Sequence, residues 1–167
     1  MRFYFLFSII VLISISTFAQ KAKYQSNIVF KISKYITWPE KEDEYKFVIG
    51  VLGSSTDFES FQLYVSQNRG SHSIPVEIRY FESTEAIDEC DLLYVSEECE
   101  IEMEQIIKKT RKEPMLIVSG KKGDGKLGAV INFVETDEKV KIELNKNEAE
   151  KRGLLVSDKL TKIAIII

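Results

Sequence analysis

The sequence predicts an α/β fold: a single domain with a mixed, largely parallel sheet flanked by helices, finished by a C-terminal β-hairpin and C-terminal helices. Three observations predict it. Short continuous apolar runs rich in β-branched residues, at Phe47 to Leu52, Leu92 to Val95 and Met115 to Val118, suit strands buried on both faces. Amphipathic segments with capping signals lie between them. The alternation then stops, and two apolar runs follow with only the polar turn Glu135-Thr136-Asp137-Glu138 between them.

The chain opens on Met1-Arg2 and the apolar run FYFLFSIIVLISISTFA. One basic residue, a serine-broken apolar run and a close on Thr17-Phe18-Ala19 describe a secretory signal peptide over residues 1–19. Cleavage is expected between Ala19 and Gln20, leaving residues 20–167 as one domain. An uncleaved anchor is the alternative; against it, the run falls just short of the ~18–20 apolar residues a spanning helix prefers. No cysteine follows the run, so it is not a lipoprotein signal, and no later segment is long and apolar enough to span.

Tyr24, Ile28, Val29, Ile32, Tyr35 and Ile36 share one face of a helix, with Lys23, Lys31 and Lys34 on its wet side. Pro39 pushes Trp38 out of the α region and is expected to end that helix. Lys41 to Lys46 reads as a solvated turn. After the strand ending at Gly53, Thr56 and Glu59 have capping-box spacing ahead of Phe58, Phe61 and Val65. Ile74 to Phe81 is the second strand. Ser96 is positioned to cap the next helix, with Glu97, Glu98 and Glu100 in its first turn and Lys108, Lys109, Arg111 and Lys112 at its end. Ser119 to Gly128 is a glycine- and lysine-rich loop. Ala129 to Val134 and Lys139 to Leu144 form the hairpin. Asn145 and Glu148 cap a helix that Gly153 ends, and Ser157 caps a last apolar segment to Ile167.

Composition narrows the function more than any reactive group does. Net charge is −3 with both signs interspersed, so no basic stripe offers itself to nucleic acid or to a membrane surface. Cys90 and Cys99 flank a strand whose rise, ~3.3 Å per residue, holds its ends roughly 16 Å apart. A disulfide needs Cα atoms within about 7 Å, so the two are expected not to pair. Gly120 to Lys126 fits most of a phosphate-loop pattern, yet Leu127 replaces the magnesium-binding hydroxyl and a strand follows instead of a helix. His72 is the only histidine and stands in a polar loop without partners for zinc or a triad. The expectation is no enzyme, no cofactor and no metal site.

One architectural rule selects residues. Ligands of open α/β sheets gather beyond the carboxyl ends of parallel strands. Three such ends carry small polar residues, Gly53-Ser54, Ser96-Glu97 and Ser119-Gly120, and these six are the ligand-binding candidates; the competing role for the serines is to cap helices and turns. Trp38, the only tryptophan, can pack into the core or anchor a partner, and large aromatics usually bury. Trp38 and Lys34 are the partner-facing candidates.

NIVFKISKYITWP followed by FVIGVLG resembles the start of the YfiR-like periplasmic proteins. The likeness continues through Cys90-Asp91-LLYVS, MLIVS at Met115 to Ser119, Gly128-AVINFV, KIELN at Lys141 to Asn145 and GLLVSDKL at Gly153 to Leu160. The resemblance implies an exported regulator that binds the extracytoplasmic part of an inner-membrane signalling protein. The best-known type restrains a diguanylate cyclase and lowers cyclic-di-GMP output and biofilm formation; related domains are associated with sensor kinases. Two affinity states are then required, and a small ligand at the strand ends or a homodimer would supply them. A periplasmic small-molecule-binding protein without a fixed protein partner is the alternative.

Overall fold

The computed structural model describes residues 20–39, 46–68, 74–136 and 140–167. The expected signal peptide, the turn after Pro39, the His72 loop and the tip of the hairpin lie outside the described residues. Helix α1 spans residues 20–33. It stops before Trp38, because Ile36–Thr37 leave it as a short strand, β1. Pro39 therefore does not end the helix. Its buried stripe is also turned from the expected one: Ala22, Gln25, Ser26, Val29, Phe30 and Ile32 are inside, while Tyr24 is 52% exposed.

The parallel strands are β2 (Phe47–Leu52), β3 (Val76–Phe81), β4 (Leu92–Val95), β5 (Leu116–Ser119) and β6 (Ile131–Glu135). β7 (Val140–Leu144) returns antiparallel to β6 as the hairpin. A further strand, β9 (Ile165–Ile166), runs parallel to β7 and completes a seven-stranded sheet in the order β3-β2-β4-β5-β6-β7-β9. The expected apolar tail is thus a short helix, α5 (Asp158–Ile163), and then a strand. β8 (Leu155–Val156) pairs with β1 in a separate two-stranded ladder.

Alternation along the central strands divides the core. Leu92 and Tyr94 face one layer with α1 and with α2 (Ser55–Gln67); Leu93 and Val95 face the other with α3 (Met103–Thr110). In the first layer Phe30 stacks on Tyr64 at 4.2 Å and Phe61 meets Tyr94 at 5.2 Å. Burial on both sides explains why these strands read as unbroken apolar runs. α4 (Lys146–Lys151) starts at Asn145, whose side chain accepts from the Glu148 amide at 3.0 Å, as its spacing predicts.

Two helix starts differ from expectation. α2 is capped by Ser54, whose Oγ accepts from the Asp57 amide at 3.3 Å, two residues before Thr56. α3 begins at Met103, not after Ser96. Ser96 Oγ accepts from the Glu98 amide at 3.2 Å and its carbonyl from the Cys99 amide at 3.1 Å, which closes a tight turn before any helix can form. Cys90 and Cys99 are both buried and form no disulfide with each other.

Candidate functional site

Register brings the strand ends level. Leu52 pairs with Val95, Val95 with Ser119, and Ser119 with Asn132. The connection from β2 goes out to β3 on one side, and the chain then passes to β4 on the other. The sheet order therefore reverses between β2 and β4, and the links leaving their carboxyl ends diverge. A cleft of about 270 Å³ opens at that point. Ser54, Thr56 and Asp57 line it from the start of α2, Ser96, Glu97 and Glu98 from the turn after β4, and Lys21, Ala22 and Gln25 from α1, which crosses above.

Of the six strand-end candidates, Ser54, Ser96 and Glu97 line this cleft. Gly53 stands beside it with φ +97°, and its missing side chain makes room for Cys99. Ser119 and Gly120 are not among its lining residues and are buried under the following loop. Ser119 donates to Asp124 at 2.5 Å and accepts from the Lys121 amide at 3.1 Å. A Cβ on Gly120 would meet Tyr94 Oη at 3.0 Å and the Glu97 amide at 3.2 Å, so glycine there lets the Glu97 turn close down.

The glycine-lysine loop is folded, not loose. Asp124–Leu127 is a 3₁₀ turn. Asn132, fully buried, donates to the Ser119 and Lys121 carbonyls at 3.1 and 2.7 Å and accepts from the Gly125 amide at 3.3 Å. Asn145 donates to the Gly125 carbonyl at 3.0 Å. These bonds tie up the Gly125 backbone, which a phosphate cradle would have to leave open to a ligand.

Lys21, Gln25, Thr56, Asp57 and Glu98 were not among the site residues expected from sequence. Gln25 could have been: it recurs on the buried stripe of α1 four residues before Val29. Its Oε1 accepts from Tyr94 Oη at 2.8 Å, a contact between side chains 69 residues apart. Lys21 bridges Glu97 and Glu135, the latter at 2.6 Å. Burial opposes its charge, but the hydrogen bonds it donates to Glu135 and Glu97 outweigh that and hold its pKa above the usual lysine range.

Asp57 is 8% exposed. Burial pushes its carboxyl pKa up, and Glu98 and Glu97 add to this, against the Ser96 hydroxyl and the Lys21 charge. Burial likewise raises the Tyr94 phenol well above its ordinary value and the Cys99 thiol above its own. Cys99 therefore stays a thiol and packs as a small apolar group.

Trp38 is half-buried. Its Nε1 donates to the Asp91 carbonyl at 3.0 Å and its ring sits edge-on to Phe47 at 5.0 Å. Lys34 is exposed just after α1. A second, smaller cleft lies at the amino ends of β4 and β5, lined by Ile87, Asp88, Glu89, Lys109, Thr110, Glu113 and Met115. Among the described residues no group of three or more histidine, cysteine, aspartate or glutamate side chains could hold a metal ion. No described helix is long and apolar enough to cross a membrane.

Two solved structures share the architecture. One is described as the ABC domain in complex with L-Trp from Streptococcus pneumonia, with a TM-score of 0.59 and 15% identity over 87% of this chain and 60% of that one. The other is a conserved domain protein from Vibrio cholerae O1 biovar eltor, with a TM-score of 0.57 and 12% identity over 87% of this chain and 59% of that one. At such identities they show the fold, and this chain spans about 60% of their length. No curated protein matches the chain. The YfiR/HmsC-like family profile matches residues 22–165, from the first turn of α1 to the first residue of β9. The chain belongs to the YfiR/HmsC-like family, whose members are periplasmic regulators of cyclic-di-GMP signalling.

Proposed function

We propose that this protein is a non-enzymatic periplasmic regulator that binds the extracytoplasmic domain of an inner-membrane signalling protein, a diguanylate cyclase or a sensor kinase, and sets its output. The family match over residues 22–165 carries this reading. Residues 1–19 serve as the cleaved export signal, and residues 20–167 act as the mature domain. The strand-end hydroxyls have structural roles in this reading. Ser54 and Ser96 cap backbone amides, and Ser119 is buried against Asp124.

Lys34 and the Trp38-Pro39 corner are the partner-facing residues of this proposal. Lys34 and Pro39 are exposed, and the corner follows Thr37, which pairs with the 68%-exposed Leu155. Trp38 stiffens the corner from beneath through Asp91 and Phe47. The test is crosslinked capture from membranes of the source cell with tagged protein, with a Lys34→Glu variant alongside. The expected result is an inner-membrane signalling protein, recovered poorly by the variant. Recovery of no such protein by the unaltered chain refutes the reading. A strong thermal shift with one metabolite, and no membrane partner, would favour the soluble binding protein instead.

A further inference from the structure

β3 is an open edge of the sheet. It stands at one end of the strand order, is six residues long and pairs only with β2 among the described residues. The opposite edge, β9, has two residues. A long free edge is a template for a further strand. Which backbone groups it offers follows from its pairing with β2. The Pro75 and Phe81 carbonyls accept from the Phe47 and Gly53 amides at 2.9 and 3.4 Å. Along a strand, neighbouring residues point their N–H and C=O groups to opposite sides. Glu77 and Arg79 therefore bond towards β2, while Val76, Ile78 and Tyr80 present their N–H and C=O groups to the open side. The N–H that Pro75 lacks falls on the β2 side and does not block the edge.

The side chains add a second, independent observation. Val76 and Ile78 pack on the layer shared with α2, and Tyr80 meets Phe58 at 5.5 Å. Glu77 and Arg79 lie on the other face, where Arg79 Nε donates to Glu77 at 2.7 Å and both side chains stay about one-third exposed, 35% and 33%. From either end, Val76-Glu77-Ile78-Arg79-Tyr80 reads apolar, charged, apolar, charged, apolar, with the two charges opposite in sign. Laid antiparallel on a second copy about an axis at Ile78, Ile78 meets Ile78, Val76 meets Tyr80 and Glu77 meets Arg79. The apolar pairs then fall at hydrogen-bonded positions. The Glu–Arg pairs fall at non-hydrogen-bonded positions, where facing side chains come closest. A slip of two residues either way would set Glu77 on Glu77 or Arg79 on Arg79, so charge fixes the register.

We propose that β3 is a dimer interface, at which two copies of this chain pair their edges antiparallel about a twofold axis at Ile78 and join their sheets into one. The occupant is a second copy because the complementarity is isologous: each strand supplies both the acid and the base that the other needs. The apolar stripe of Val76, Ile78 and Tyr80 continues across the axis on the α2 side, and Arg79 reaches both its own Glu77 and the partner's Glu77 on the other. The interface goes beyond the regulator reading and does not rest on it.

Sedimentation of the purified protein should show a monomer–dimer equilibrium. In the unaltered chain, amide hydrogen exchange at Val76, Ile78 and Tyr80 should slow as protein concentration rises, while Glu77 and Arg79, already bonded to β2, should not change. Glu77→Arg and Arg79→Glu each set like charges opposite one another, and each alone should weaken the dimer by about tenfold or more. Mixed in equal amounts, the two variants should associate about as tightly as the parent, because every arginine then faces a glutamate. Arg79→Glu also gives up the bond to the Glu89 carbonyl, so the fold of each variant is checked by circular dichroism. A chain that stays monomeric at millimolar concentration overturns the inference. So does exchange at Val76, Ile78 and Tyr80 that ignores concentration, or a mixture of the two folded variants that fails to associate. The exchange measurement uses no variant, so a variant that misfolds leaves it decisive.

Discussion

Gly53 links the fold to the cleft, and its substitution is the sharpest test of how the strand end is built. Its φ of +97° lies where L side chains rarely go. A Cβ added there would stand 2.7 Å from Cys99 Cβ and 2.9 Å from Cys99 Cα. Gly123 has nearly the same φ, +96°, with nothing within 4 Å of an added Cβ. The two glycines therefore separate conformational strain from close approach. Gly123→Ala should lose only the strain, about 1–2 kcal/mol. Gly53→Ala adds a clash with backbone that cannot swing aside, about 1–3 kcal/mol more, for roughly 2–5 kcal/mol in all. At about 2–4 °C per kcal/mol for a domain of this size, Tm should fall by roughly 4–20 °C for Gly53→Ala and about 2–8 °C for Gly123→Ala. Urea unfolding monitored by Trp38 fluorescence gives the free energies. Equal losses for the two variants would refute the packing of the 96–102 turn against the end of β2, and with it the placement of Glu97 and Glu98 in the cleft.

Asp57 and Asp124 make a pH prediction with a definite sign. Both have folded-state pKa values raised, chiefly by burial, from an ordinary 3.8. Between the unfolded and folded values the folded state binds more protons, so these groups favour folding at low pH and their contribution is lost as pH rises through the folded values. Asp57→Asn should therefore be more stable than the parent near neutrality, with the difference closing in melts below about pH 4. Arg152 has a fully buried side chain that donates to Glu148 at 3.1 Å and to the Thr110 carbonyl at 3.1 Å. Arg152→Ala should cost about 3–5 kcal/mol in urea unfolding, and the double variant Glu148→Gln, Arg152→Met should recover much of it. Asn132→Ala strands the Gly125 amide and two carbonyls, so it should cost about 1–3 kcal/mol and speed hydrogen exchange at Gly125.

The layered sheet was legible because its strands are buried on both faces. Unbroken apolar runs mark β2, β4 and β5, and only parallel strands covered by helices need them. Short elements left no such trace. β1, β8 and β9 have two residues each, too few to show a period of two, and they exist because partners from distant sequence meet them. The start of α3 was misplaced for a different reason. Glu97, Glu98 and Glu100 imitate an acidic first turn, but the Ser96 hydroxyl and carbonyl close a turn there instead.

The site divides along the same line. Ser54, Ser96 and Glu97, picked by the strand-end rule, line the cleft because β2 and β4 flank the reversal of order. Ser119 and Gly120, picked by the same rule, stand apart from the cleft, since β5 lies one strand beyond the reversal and its end is closed by Asp124 and Asn132. The rule missed the contribution of α1 altogether. The helix was read as a hydrophobic stripe, and a polar residue on such a stripe looks like an error in phase. Gln25 and Ser26 occupy that stripe in full burial. A buried amide must find partners, and Gln25 finds one in Tyr94, near the carboxyl end of β4. The apparent flaw in the amphipathic pattern is therefore what carries α1 to the strand ends and supplies one wall of the cleft. Polar residues recurring at i and i+4 with an apolar stripe are, in this fold, where a helix should be expected to meet a site.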